Sequence, residues 1–187
     1  RFLDNIRVQL IEFDDHGDRT AVEESSKGLA KYGWHAHCGN TSSAYLTGLL
    51  AGLMARKHGV KEAILDIGMQ TSVKGSVLYA VVAGAMDAGL NVPAGEVVPT
   101  ADRLSGKHVA AYASLLKKEN QNAYKKQFAS YIKNKLNPED LPKHFEDVKA
   151  KIIAELGSEM KSSKQVVAVA SGGSDGSSED EEWEDAE

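Results

Sequence analysis

Residues 61–90 read KEAILDIGMQTSVKGSVLYAVVAGAMDAGL. Ala63-Ile64-Leu65 is a short apolar run ending at Asp66-Ile67-Gly68, a length and boundary that predict a buried strand over 62–67. Gly68 to Gly75 carries Gln70, Thr71, Ser72 and Lys74 and reads as a polar loop. From Ser76 to Ala88, Val77, Ala80, Val81, Gly84, Ala85 and Ala88 recur at three and four, the spacing of a helix face. Ser76 is the expected N-cap and Gly89 the expected stop. The small side chains of Ala80, Ala83, Gly84 and Ala85 predict a helix lying close against a sheet. The loop therefore ends at a helix N-terminus, beside Lys74. There, exposed backbone N–H groups and the helix dipole can receive a phosphate.

Toward the N-terminus, residues 6–13 (IRVQLIEF) alternate Ile, Val and Leu with Arg and Gln as far as Leu10, the pattern of a strand with one buried face. Asp14 to Asp18 is a polar turn with a Gly, and Thr20 to Ser25 is a second strand, so the two form an antiparallel hairpin. Lys27 to Asn40 is irregular and punctuated by Gly28, Gly33 and Gly39. Thr41 to His58 reads as a helix with Tyr45, Leu46, Leu49, Leu50, Leu53 and Met54 on one side. Asn40 or Thr41 caps it and Gly59 follows it. Gly48 and Gly52 are expected to admit a neighbouring strand. The order is strand, strand, helix, strand, helix. The chain opens at Arg1, not Met, and almost inside a strand, which reads as a processed or truncated start with one more strand expected ahead of it. The fold class is α/β (α+β): a mixed sheet packed by two helices, in the order strand-strand-strand-helix-strand-helix with the first strand missing.

This first domain spans residues 1–92. A connector with Pro93, Gly95 and Pro99 leads to a helical extension over 93–160. Three amphipathic helices are expected there. Val109, Tyr112, Ala113 and Leu116 face inward on the first. Tyr124, Phe128, Tyr131 and Ile132 do so on the second. Leu141, Phe145, Val148, Ile152 and Leu156 do so on the third. Three short helices share a modest core, so they are expected to dock on the first domain or on a partner. Residues 161–187 turn to Ser, Gly and acids, a composition expected to be disordered, with Trp183 as an isolated apolar group. Eight of the 27 acids lie in 171–187, which hold no base, so the preceding 170 residues carry 22 Lys and Arg against 19 acids. The net charge of −5 thus hides a mildly basic body. The single cysteine, Cys38, excludes an intrachain disulfide and fits a reducing compartment. No run of 18 apolar residues occurs, so no helical membrane span is expected.

Several chemistries fall away on residue type. Loop 68–76 is not a phosphate-binding Walker loop, because Val73 stands where that motif has its second Gly, and no G-x-G-x-x-G occurs. His35-Ala36-His37-Cys38 has zinc-compatible side chains but no second pair to complete four ligands, so no metal is assigned. Cys38 lacks the setting of a nucleophile. Asp66 ends a strand as in carboxylate-metal nucleases, but the 41–58 helix has no Asp or Glu to complete such a site. What remains is phosphate contact through the loop and ten lysines between Lys107 and Lys151, either a solvated surface or a track for a phosphate backbone.

Longer strings carry a resemblance. Val8-Gln9-Leu10-Ile11-Glu12-Phe13-Asp14, Gly17-Asp18-Arg19-Thr20, Tyr32-Gly33-Trp34 and Ala44-Tyr45-Leu46-Thr47-Gly48-Leu49-Leu50 resemble the archaeal form of the large-subunit ribosomal protein family numbered eighteen, whose eukaryotic relative is numbered five. Asp66-Ile67-Gly68, Lys74-Gly75-Ser76 and Asp87-Ala88-Gly89-Leu90 match it too. So do Val98-Pro99, Asp102-Arg103, Gly106, Tyr112-Ala113, Gln127-Phe128 and Leu141-Pro142-Lys143-His144-Phe145. The resemblance covers roughly residues 5 to 157. It implies a non-enzymatic, cytoplasmic ribosomal protein that binds 5S ribosomal RNA in the central protuberance. The implied partners are 5S rRNA, the large-subunit rRNA and neighbouring large-subunit proteins, with no cofactor and no membrane. It implies RNA contact by Gln70, Thr71, Ser72, Lys74 and Ser76 of the loop and by the basic Arg7, Arg19 and Arg103. Family members normally have an Arg/Lys-rich arm and a strand ahead of the segment that opens this chain, and many have a basic residue near Thr71. The acidic tail is not a general family feature. The alternatives are a protein-binding assembly module and a phosphate-handling enzyme using the loop after the 62–67 strand.

Overall fold

The computed structural model describes residues 1–170, with side chains as far as residue 157. The chain begins with the expected hairpin. Strand β1 (Arg7–Glu12) pairs antiparallel with β2 (Arg19–Ser25), from Arg7 opposite Ser25 to Glu12 opposite Arg19. Val8 and Leu10 face the core side while Arg7 and Gln9 face out. A bulge between Leu10 and Ile11 breaks the alternation, which leaves Ile11 57% exposed. At the open end of the hairpin, the buried Ser26 hydroxyl accepts the Ile6 N–H at 3.0 Å and donates to Asn5 Oδ1 at 2.8 Å. A 3-10 helix (Ser26–Tyr32) and an irregular loop then lead to α1 (Thr41–Lys57).

Helix α1 is the centre of the molecule. Asn40, not Thr41, is its cap: the side chain accepts the Ser43 N–H at 2.8 Å. Every residue from Ser42 to Leu53 is buried, so the helix is covered on all sides. Its interior hydroxyls are satisfied locally, with Ser43 bonding to the Asn40 carbonyl and Thr47 to the Ser43 carbonyl. Helix α2 (Val77–Asp87) crosses it at very close range. A Cβ on Gly48 would collide with the Val81 carbonyl, and one on Gly84 would collide with the Tyr45 carbonyl. The neighbour that Gly48 and Gly52 admit is therefore this helix, not the expected strand. The small residues of α2 likewise meet α1, not a sheet. The far end of the crossing is fixed by Arg56 Nη1 donating to the Ala88 carbonyl at 2.9 Å. The Tyr45 hydroxyl donates to Asp87.

The segment expected as a buried strand over 62–67 is extended but makes no ladder. Ala63, Leu65 and Ile67 are half-buried while Glu62, Ile64 and Asp66 are exposed, which is the alternation of a strand. Only one parallel bridge forms, between Glu62 and Asn91. It is held by Ala63 N–H to the Asn91 carbonyl and Asn91 N–H to the Lys61 carbonyl, both 2.9 Å. A longer ladder needs a strand alongside to take the other backbone groups, and among the described residues none pairs there. Ile64 is accordingly 88% exposed. The chain is mixed α and β, but its only sheet among the described residues is the two-stranded hairpin, not a mixed sheet packed by two helices.

The extension also differs in detail. Helix α3 (Ala101–Ser105) precedes α4 (Lys107–Glu119), and the expected second helix is broken at Phe128 into α5 (Gln121–Gln127) and α6 (Ala129–Lys133). The break gathers rings around Phe128, with centroids 6.4 Å from Tyr112, 5.3 Å from Tyr124 and 5.8 Å from Tyr131. Ala113, Tyr124 and Phe128 are buried, but Tyr112 and Ile132, expected inside, are half exposed because so small a cluster covers only part of each helix. A 3-10 turn (Pro138–Asp140) starts α7 (Leu141–Ala170). Leu141, Phe145, Val148, Ile152 and Leu156 are buried as the spacing predicts, in the same core as Tyr45, Leu46 and Leu49 of α1. The Phe145 and Tyr45 rings lie 5.4 Å apart. The α7 backbone continues to Ala170, so residues 161–170 are helical where disorder is expected. The rest of the acidic tail, with Trp183, lies outside the described residues.

Candidate nucleic-acid interface

Loop 68–76 is pinned at both ends and open between. Asp66 Oδ1 accepts the Gly68 N–H at 2.7 Å, an Asx turn that reverses the chain as it leaves the extended segment. At the other end the Gly75 N–H donates to the Val97 carbonyl at 2.8 Å, and the Ser76 N–H to the Val73 carbonyl at 3.1 Å. Met69, Gln70, Thr71, Ser72, Val73 and Lys74 between these anchors are all exposed. Lys74 makes no ion pair among the described residues, so its ammonium is available to an anion. Ser72 differs from its neighbours: its hydroxyl is hydrogen-bonded to the Tyr79 hydroxyl of α2, which ties the middle of the loop to that helix.

Ser76 occupies the N-cap position of α2 as expected, but its side chain makes no cap bond. Its Oγ is buried without a hydrogen-bond partner among the described residues. A helix start without a side-chain acceptor leaves first-turn N–H groups for another acceptor.

The three arginines lie elsewhere. Arg7 and Arg19 sit near opposite ends of the hairpin, and both are engaged: Arg7 pairs with Glu23 at 3.2 Å and Arg19 with Glu12 at 2.5 Å. The hydrogen bond that Arg19 donates to Glu12, then the Glu12 charge, holds the Arg19 guanidinium above its ordinary value. Exposed pairs of this kind are weak and exchange readily for a phosphate. Arg103 is exposed on α3 and makes no ion pair among the described residues. The loop holds Gln70, Thr71, Ser72, Lys74 and Ser76 in one contiguous stretch, while Arg7 and Arg19 stand on the hairpin and Arg103 on α3.

An open groove that residue spacing does not announce lies between the 3-10 helix and α7, lined by Lys31, Tyr32, Gly33, Lys151 and Glu155. Its two walls are about 120 residues apart in sequence, so no local signal could have joined them. The His35-to-Cys38 run makes no metal cage: among the described residues no group of three or more His, Cys, Asp or Glu is placed to hold an ion. His37 instead bonds Asp4 at 3.2 Å and accepts the Gly39 N–H at 3.0 Å. Burial pushes the Cys38 thiol up, away from nucleophilic use. No helix among the described residues is long and apolar enough to cross a membrane.

Fold and surface together describe a small α/β protein whose candidate site is an exposed loop at a helix start, with a lysine that is unpaired among the described residues. That is the equipment of a binding protein. The chain is 49% identical over 152 residues to the large ribosomal subunit protein uL18 of Methanococcus maripaludis, a match that covers 81% of this chain and 78% of the relative. The chain belongs to the uL18 family of large ribosomal subunit proteins. No family model matches it.

Proposed function

We propose that the chain is a structural constituent of the large subunit that binds 5S rRNA and anchors it against the large-subunit rRNA in the central protuberance. Its place is the cytoplasmic ribosome, and membership in a ribosomal family implies a structural and not an enzymatic role. The single observation that carries the RNA reading is loop 68–76. It combines Lys74, unpaired among the described residues, the exposed polar groups of Gln70 and Thr71, and an α2 start whose Ser76 makes no cap bond. Lysine and first-turn N–H groups neutralise phosphates, and a rigidly pinned loop reads the shape of a folded RNA.

In this reading residues 1–92 carry RNA recognition, with Arg103 and the hairpin arginines as further phosphate contacts. The extension over 93–160 offers Tyr112, Leu115 and Ile132, all about half exposed, to neighbouring large-subunit proteins. The acidic residues of 171–187 would be repelled by RNA phosphates. Ultraviolet cross-linking of the chain to 5S rRNA, with cross-linked peptides mapped by mass spectrometry, tests the assignment. Cross-links are expected in the peptide that contains residues 68–76. Cross-links confined to α4–α7 would move recognition to the extension.

A further inference from the structure

The loop before α1 and the first turn of α7 are joined by a cluster that the RNA reading does not use. The His144 ring stacks near two others: its centroid is 5.1 Å from that of Trp34 at 21°, and 5.9 Å from that of His35 at 19°. His144 Nε2 accepts the backbone N–H of His35 at 3.1 Å. An imidazole nitrogen that accepts carries no proton, so the ring in this arrangement is neutral with its proton on Nδ1. Asn134, which follows the last residue of α6, completes the clamp, because its Nδ2 donates to the His35 carbonyl at 2.8 Å. Both backbone polar groups of His35 are thus held by side chains about a hundred residues further along. Beneath them Trp34 is 3% exposed, and its indole N–H reaches the His37 carbonyl at 3.4 Å.

Protonation is incompatible with this geometry. An imidazolium donates from both nitrogens and cannot accept the His35 N–H. The charged and titratable groups that act on His144 are His35 from the loop and Asp147 and Lys151 from its own helix. Asp147 favours the charged ring, but burial above all, then His35 and Lys151, oppose it. The ring is held below the ordinary imidazole value of 6.5. The sign follows. The undocked ring takes up a proton more readily than the docked one, so the contribution to docking is complete above 6.5. It is lost as pH falls from there through the lowered value of the docked ring.

We propose that His144 is a proton-gated latch: neutral, it clamps the α6–α7 corner onto the loop at His35, and protonated, it releases that loop.

The test is a nitrogen-15 NMR titration of the full chain from about pH 7.5 to about pH 5, a span that brackets histidine ionisation. It follows the His144 ring, the His35 backbone amide and the Asn134 side-chain amide. A His144→Gln chain is titrated in parallel, because the Gln Oε1 replaces Nε2 as acceptor and does not titrate. The expected result is a His144 midpoint below 6.5, with the His35 and Asn134 amides shifting at that same midpoint in the parent chain and staying still in His144→Gln. Three results overturn the latch. One is a His144 midpoint at or above 6.5. Another is amides that stay still while His144 titrates. The third is amide shifts that persist in His144→Gln, which would assign them to a group other than His144. If the Gln chain fails to fold, the parent titration alone still decides between the first two results and the latch.

Discussion

Lys74 and Gly48 have opposite kinds of importance. Lys74 is exposed, makes no ion pair among the described residues and stands one residue before the glycine that anchors the loop to Val97. Lys74→Ala should therefore leave the urea midpoint unchanged, while lowering 5S rRNA affinity and reducing the salt dependence by about one phosphate contact. Filter binding at several salt concentrations reads both. Gly48 has no role on the surface, yet a single methyl group there meets the Val81 backbone. Gly48→Ala should destabilise the protein by about 1–3 kcal/mol or more, because a backbone carbonyl cannot rotate aside as a side chain can. Gly95→Ala is the control, since a Cβ at Gly95 meets nothing within 4 Å. Its urea midpoint should stay close to that of the parent chain. The sequence announces that Gly48 and Gly52 mark a close approach, but not to what. A glycine records how near a neighbour comes, and only the long-range pairing of α1 with α2 says that the neighbour is a helix.

At the scale of elements, short-range signals were legible and partner-dependent ones were not. The hairpin, both central helices and the inward face of α7 follow from spacing and capping, which act within a few residues. Asn40 is an example: its side chain bonds the Ser43 N–H three residues on. Asn40→Ala should cost about 0.5–2 kcal/mol in chemical denaturation, the usual loss for an N-cap. The segment over 62–67 is the counterexample. Its alternation is that of a strand, but a strand is completed by whatever lies beside it, and here that is one bridge to Asn91. Phe128 shows the same limit. Nothing in the local pattern from Tyr124 to Ile132 signals a break, and the ring that Phe128 meets on Tyr112 belongs to another helix. In the candidate site the loop was legible as a contiguous polar run, whereas the engagement of Arg7 and Arg19 by acids across the hairpin and the missing cap bond of Ser76 were not.

The whole molecule has its extension folded onto its first domain: α7 supplies five buried side chains to the core built on α1. A second cluster packs Val22 of the hairpin with Tyr79 and Val82 of α2, and Tyr79 in turn holds Ser72 of the loop. Charge is distributed unevenly, with 22 basic against 19 acidic residues ahead of position 171 and eight acids beyond it. Such a body attracts RNA by phosphate neutralisation, a term that salt weakens for every RNA alike. Selectivity must come from fixed shape. The most direct measurement is a gel-shift titration of the full chain against 5S rRNA and a transfer RNA of similar size, at low and at near-physiological salt. A 5S rRNA-binding protein will prefer 5S rRNA at both salts, with both affinities falling as salt rises. Equal affinity for the two RNAs at both salts, or binding that salt does not weaken, would contradict recognition of 5S rRNA by this chain.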